Sequence, residues 1–322
     1  MSAGIDLDRA AGALLGGAAG DALGAGYEFT TPAENEPITM RGGGPFGFEP
    51  GEWTDDTAQA AAIAQITATG STDLVAIGQR FLDWYATGPK DVGNSTRAVL
   101  SGATDAGDLP RAAAAYFARH PRGGAGNGSL MRTAAVALAH LGDDQAIARL
   151  AMDISALTHG DPLAGEACVV WCIAIDRAVR EGRLDGLREG LDMLSGSRRS
   201  AWAKWITQAE EQPPAAFHDN NGFVVVALQA AWSAIHHTPV PLDRPVHHLQ
   251  EALTTAVRIG GDTDTVAAIA GQLLGARWGA WSIPSHWRRA LHGWPDVAGT
   301  PMDAEGLVRL AVLTATRGAQ AM

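Results

Sequence analysis

Two acidic clusters stand at opposite ends of this 322-residue chain: Thr54-Asp55-Asp56-Thr57 and Gly261-Asp262-Thr263-Asp264-Thr265. Each opens an Ala-rich apolar run, so each falls at the start of a helix. A capping residue and some negative charge are ordinary there. Capping uses one side-chain oxygen, whereas each cluster packs several into a single turn. Adjacent carboxylates repel, and burying them is costly unless a cation neutralises them. Folded together, the clusters would offer about four carboxylates and several hydroxyls, the oxygen shell that magnesium or manganese prefers.

Other stretches carry weaker signals when taken alone. Gly20-Asp21-Ala22-Leu23-Gly24-Ala25-Gly26-Tyr27-Glu28 permits a tight exit from a first helix and puts Glu28 on an irregular segment, where a carboxylate can move. Arg122-Gly123-Gly124-Ala125-Gly126-Asn127-Gly128-Ser129-Leu130-Met131-Arg132 sets a glycine loop before a helix predicted from Ser129, whose free N–H groups would suit a phosphate. It is neither a Walker A loop nor a Rossmann fingerprint, because no Gly-Lys-Ser/Thr follows and no strand precedes. A flexible turn is the competing reading. Thr158-His159-Gly160-Asp161 and Asp91-Val92-Gly93-Asn94 place a histidine and an aspartate in loops, where each is either a ligand contact or a plain cap. The pairs His236-His237 and His247-His248 lack acidic companions at ligand spacing and read as structural. Cys168 and Cys172 lie one helical turn apart on an apolar stretch and read as core residues, over a metal pair or disulfide.

The elements that must position these residues are helices. Hydrophobic residues make up 46% of the chain, aromatics only 6%, and Ala is abundant. Alternating β-branched runs are scarce, which favours close-packed helices over sheets. Apolar spacing predicts helices over Ile5–Leu23, Thr57–Ala68, Asp73–Thr87, Ala112–Arg119, Ser129–Leu141, Asp144–Leu157 and Pro162–Arg180. More follow over Leu184–Leu194, Ala201–Glu211, Gly222–His236, Pro245–Val257, Asp264–Trp278 and Ala304–Thr316. A Gly/Pro-rich loop fills Thr30–Gly51, and the small residues of the first helix permit a partner to approach closely. No linker divides the chain, so residues 1–322 are expected to form one domain with the glycine- and histidine-bearing loops gathered at one end. A net charge of −11 argues against general nucleic-acid or anionic-membrane binding, since both need a basic face. No stretch reaches about 18 apolar residues, and Ala10–Gly20 lacks a basic leader. With only two cysteines, the expectation is a cytoplasmic protein; a monomer is expected as well.

In order along the chain, Gly20-Asp21-Ala22-Leu23-Gly24, Trp53-Thr54-Asp55-Asp56-Thr57, Gly126-Asn127-Gly128-Ser129-Leu130-Met131-Arg132, Thr158-His159 and Gly261-Asp262-Thr263-Asp264-Thr265 resemble the motifs of the ADP-ribosylglycohydrolases. The resemblance runs from Gly12 to about Gly279. It implies an all-α fold, a single compact orthogonal multi-helix bundle, with a cleft that holds two divalent cations, Mg2+ or Mn2+. It implies Thr54, Asp55 and Asp56 as metal ligands from one side and Asp262, Asp264 and Thr265 from the other. Glu28 matches a mobile glutamate near the scissile bond. Gly126, Asn127, Gly128, Ser129 and Met131 match the loop that holds the diphosphate and ribose of ADP-ribose, and His159 matches a substrate-contacting histidine. Asp91 matches an acid/base aspartate of arginine-directed bacterial members. Phe223 stands where an aromatic, often tyrosine in the family, stacks on adenine; stacking survives that change and a hydroxyl contact is lost. Val226-Ala227 replaces a more polar pair, for which there is no physical account.

The activity so implied is hydrolysis of the bond between ADP-ribose and a modified protein side chain, with ADP-ribose as product. Asp91 points to arginine as the acceptor. ADP-ribosyl-serine or a small ADP-ribosylated molecule is the alternative, and a non-catalytic ADP-ribose-binding protein is a third reading. The complete set of candidate metal ligands argues against that third reading.

Overall fold

The structure, a computed structural model, describes residues 5–121 and 124–317. Arg122 and Gly123, at the start of the glycine loop, lie outside the described residues, as do 1–4 and 318–322. In chain order the first helices are α1 Leu7–Gly24, α2 Asp55–Thr67, α3 Leu74–Ala86, α4 Asn94–Gly102 and α5 Leu109–Arg119. Then come α6 Ala134–Ala139, α7 Asp144–Ala156, α8 Pro162–Glu181, α9 Leu187–Gly190 and α10 Gly196–Glu211. The last third holds α11 Val224–His237, α12 His248–Arg258, α13 Thr263–Trp278, α14 Ser285–Ala290, strands β1 His292–Val297 and β2 Thr300–Asp303, and α15 Ala304–Ala315. The fold is all-α apart from this one hairpin among the described residues. One cluster of buried apolar side chains extends from Ala10 to Ala315.

The antiparallel pair α1 and α13 sets the site. Gly12, Gly16, Gly20 and Gly24 face Gly275, Gly271, Ala267 and Asp264 in turn. A Cβ on any of the four would run into the facing backbone; at Gly24 it would lie 2.5 Å from the Asp264 Cα. Four-residue spacing keeps these glycines on one face, so the two backbones touch along their length. Both helices are buried almost all round, which is why neither has a polar face in the sequence. The C-terminal end of α1 thereby delivers Asp21 to the first turn of α13, where Asp264 sits.

Several elements differ from expectation. The helix predicted over Ser129–Leu141 is a 3-10 run, Asn127–Arg132, followed by the short α6. Its polar side chains are anchored to distant elements, and those anchors override the helical spacing. Leu184–Leu194 contracts to α9 and a 3-10 turn, with Gly190 packed against the Val170 backbone of α8. Helices α4 and α14 and the hairpin were not anticipated. Strand β1 contains Pro295 and a register shift between Gly293 and Asp296, which masks alternation. Its turn, Ala298-Gly299, has φ of +53° and +81°, the pattern of a two-residue hairpin.

Candidate active site

Asp21 organises the first wall. Its buried carboxylate accepts from the Thr54 N–H at 3.0 Å, the Thr57 N–H at 3.0 Å and the Thr57 hydroxyl at 2.6 Å. It caps α2 from a different helix and so fixes Asp55 and Asp56 on the first turn. Gln59, one turn further on, donates to Asp55 Oδ2 at 3.3 Å.

The second wall hangs on Gly260 and Gly261, at φ +82° and +73°, which glycine adopts without strain. The Asn221 side chain accepts the Asp262 N–H at 3.0 Å and donates to the Gly260 carbonyl at 2.8 Å. Asn127 donates to Asp262 Oδ2 at 2.8 Å. The Phe29 N–H donates to the Gly261 carbonyl at 2.7 Å, which brings Glu28 alongside Asp262. The two walls meet where the Thr265 hydroxyl donates to Asp56 at 3.2 Å.

Carboxylate oxygens of Asp21, Asp56 and Asp264 lie within 4.8 Å of one another, and so do those of Glu28, Asp262 and Asp264. Burial pushes Glu28 up to about 9, reinforced by Asp262, Asp91, Asp55 and Asp21. Burial lifts Asp21 to about 6 against the hydrogen bonds it accepts. Asp55, Asp56 and Asp264 rise well above the usual carboxylate range, first through burial and then through neighbouring carboxylates. Asp262 and Asp91 rise as well, chiefly through burial. Asp56 Oδ2, Asp264 Oδ1 and Glu28 Oε2 are buried without a hydrogen-bond partner. Unpaired buried oxygens are costly, and a shared hard cation supplies the missing partner. The residues present therefore fit a divalent-cation site built from oxygen donors.

A cavity of about 540 Å³ opens over this cluster. Glu28, Asp55, Asp91, Gly126, Asn127, Gly128, Met131, His159, Asp262 and Thr265 line it. Thr54, Asp56 and Asp264 are buried behind that lining. Ser129 turns inward, its hydroxyl accepting from the Cys168 thiol at 3.4 Å. Phe223 is half-buried at the N-cap of α11, one backbone bridge from Gly126, and does not line the cavity. The α-helix N-terminus expected at Ser129 does not form there, since α6 starts only at Ala134. The donors that this loop offers to the cavity are its own N–H groups and side chains.

Arg132 ties the two sides of the cleft together, although its sequence position gave no hint of it. Its guanidinium is fully buried, 4.4 Å above the Phe81 ring. It donates to Gln59 Oε1 at 2.5 Å, the Ile154 carbonyl at 3.0 Å and the Thr158 hydroxyl oxygen at 2.8 Å. Among the described residues the proton of that hydroxyl has a single acceptor in reach, His159 Nδ1, 2.8 Å away, and donating to it satisfies both groups. The remaining proton of the ring sits on Nε2, which faces Gly126 and Gly128; a Cβ there would lie 3.3 and 3.2 Å from it. Burial, then the Arg132 charge, lower His159 to about 3, so the ring stays neutral and offers Nε2–H as a donor. Asp21, Asn221, Gln59 and Arg132 are the supporting residues that sequence reading left without a role. The available signal was polarity inside apolar runs.

The family model of the ADP-ribosylglycohydrolases matches residues 2–320. With that match, this fold and this site, the chain belongs to the ADP-ribosylglycohydrolase family. It is 30% identical over 292 residues to the ADP-ribosyl-[dinitrogen reductase] glycohydrolase of Rhodospirillum rubrum, covering 87% of this chain and 89% of that protein. It is 31% identical over 292 residues to the ADP-ribosylarginine hydrolase Tri1 of Pseudomonas putida (strain GB-1), covering 87% of this chain and 73% of that one. A solved structure of an ADP-ribosylglycohydrolase-related protein complex aligns with a TM-score of 0.75 at 30% identity, over 97% of this chain and 98% of that one. Among the described residues no helix is long and apolar enough to cross a membrane.

Proposed function

We propose that this protein is a metal-dependent hydrolase that releases ADP-ribose from modified arginine side chains of proteins, by cleaving the N-glycosidic bond. The observation that carries this reading is the convergence of three unpartnered carboxylate oxygens, from Glu28, Asp56 and Asp264, beneath the glycine-lined cleft. The relatives named for ADP-ribosylarginine and ADP-ribosyl-dinitrogen reductase support the substrate class. Thr54, Asp55 and Asp56 would hold cations from one side, and Asp262, Asp264 and Thr265 from the other. Two bound Mg2+ or Mn2+ ions would orient the distal ribose hydroxyls and a water.

Gly126, Asn127, Gly128 and Met131 face the cleft and would cradle the diphosphate and ribose, with Ser129 bracing the loop from the core. His159 would donate from Nε2. Phe223 stands beside Gly126, in reach of adenine at the cleft edge. In the reaction the bond from the anomeric carbon to nitrogen breaks and the water oxygen bonds to that carbon. Asp91 and Glu28 take the proton from water and give one to the departing nitrogen. A guanidine leaves poorly without that proton, so the positioned acid is worth roughly 100- to 10,000-fold. The chain acts as one domain, 1–322, and as a cytoplasmic monomer; its charge of −11 supports the expectation of neither nucleic-acid nor membrane partners.

The test is release of ADP-ribose from matched arginine- and serine-modified peptides, with magnesium, manganese or chelator. Release from the arginine peptide, abolished by chelator, is expected. Equal release from the serine peptide would overturn the acceptor assignment. Binding of ADP-ribose with no release under either metal would reduce the protein to a reader of ADP-ribose.

A further inference from the structure

Glu28 and Phe29 fill the two central positions of a tight turn. The Thr30 N–H closes it on the Tyr27 carbonyl at 3.0 Å. Glu28 has φ −53° and ψ +138°, and Phe29 has φ +57°. This is the pattern of a type II turn, whose third residue is normally glycine or asparagine because φ is positive there. A phenylalanine is strained at such a position. The backbone holds it there on both sides. The Phe29 N–H donates to the Gly261 carbonyl at 2.7 Å, and the Gly261 N–H donates to the Thr30 carbonyl at 3.2 Å.

The ring gains little from the fold to offset that strain. It is 67% exposed and lies outside the buried apolar cluster. Its aromatic neighbour is Phe46, edge-on at 6.3 Å, which is only half-buried and also lies outside that cluster. Both phenylalanines line the cleft. Phe46 meets the buried Phe48 edge-on at 6.4 Å, and Lys90 stands 5.4 Å over the Phe48 ring. Among the described residues no such cation covers the outer two rings. Glu28, next to Phe29 in the chain, faces Asp262 and Asp91. Phe48 extends the row into a smaller hollow that shares Asp91 with the cleft and is lined by none of Gly126, Asn127 and Gly128.

We propose that Phe29 and Phe46 form a docking lip for the substrate protein, taking an apolar side chain next to the modified residue. This assignment rests on the hydrolase reading above. On that reading the glycine loop holds the nucleotide, Glu28 and Asp91 flank the bond that breaks, and the two rings border the acceptor side. A modified protein cannot present its nucleotide alone; the residues on either side of the modified one come to the rim with it. An aliphatic side chain laid on two exposed rings removes apolar surface from water on both partners. The strained turn then has a use: it points Glu28 into the cluster and Phe29 out to the incoming chain.

Two arginine-modified peptides test the lip, one with leucine and one with serine on both sides of the arginine. The metal-loaded wild type should favour the leucine peptide roughly tenfold in kcat/KM, chiefly through KM. Phe29→Gly should remove most of that preference and keep the calorimetric affinity for ADP-ribose. It should melt no lower than wild type, because glycine adopts the turn without strain. Equal kcat/KM for the two peptides in the wild type, or a preference that survives intact in Phe29→Gly, overturns the lip. Weaker ADP-ribose binding by the variant would put the ring on the nucleotide, and a lower melting temperature would assign it to the fold; either result overturns the lip as well. No release from either peptide would sink the hydrolase reading. The calorimetric affinities of the two uncleaved peptides for the wild type then decide the lip: a similar preference for leucine keeps it, and equal affinities overturn it.

Discussion

At the residue scale, variants of Asp264 and Thr158 test the proposed metal holding apart from the proposed substrate orientation. Asp264→Asn removes a charge and keeps the shape. It should abolish turnover, and manganese should no longer raise the melting temperature, while the metal-free variant melts no lower than wild type. Undiminished activity would refute the ligand assignment. Thr158→Val leaves the Arg132 and His159 partners unpaired on either side. It should lower kcat/KM roughly tenfold, and Thr158→Ser should recover it; recovery by serine distinguishes the lost hydroxyl from general damage. The metal candidates and the glycine loop were legible in the sequence because each motif is local. Asp21 was visible as a residue, but its partners Thr54 and Thr57 lie 33 and 36 positions along the chain. Only the fold makes it a cap. Arg132 was likewise visible, and its two-way role depends on α2 and α7 arriving from either side.

At the scale of elements, the sequence showed that α1 could approach a neighbour closely but not which one. That partner is α13, and their contact places the two acidic walls. Gly20→Ala would drive a methyl into the Ala267 backbone. It should cost about 3 kcal/mol in urea unfolding and weaken the response to manganese. Gly102, at the end of α4, has open space around its Cβ position and a φ outside the left-handed region. Gly102→Ala should instead stabilise by roughly 0.4–1 kcal/mol. Similar costs for the two substitutions would contradict the close-contact account. Long helices with continuous apolar spacing, such as α3, α7 and α8, were readable within a few residues. The short elements were not, because their conformation is set by contacts: α4 has few apolar anchors, α9 is interrupted by packed glycines, and β1 is broken by a proline.

At the scale of the whole molecule, the site trades stability for function, and pH exposes the trade. Aspartate and glutamate in the unfolded chain release protons near 3.8 and 4.5, whereas folded Asp21 holds its proton to about 6 and folded Glu28 to about 9. Asp55, Asp56, Asp91, Asp262 and Asp264 shift in the same direction. A raised folded-state value favours folding fully below the unfolded one, and the contribution is lost as pH rises through the folded value. His159 works in the opposite sense. It titrates near 6.5 when unfolded and about 3 when folded, so its contribution is present above 6.5 and fades as pH falls toward 3. Several carboxyls oppose one imidazole between the two limits, and above 6.5 the imidazole no longer varies. The chelator-treated protein should therefore melt at progressively lower temperature as pH is raised from 5 to 9. Saturating manganese should remove most of that slope, because the cations supply the charge that protons supply at low pH. Differential scanning calorimetry across this range, with and without metal, makes the comparison. A metal-free melting temperature that stays flat or rises with pH would mean that these carboxylates are not buried together, and the binuclear site would fall with them.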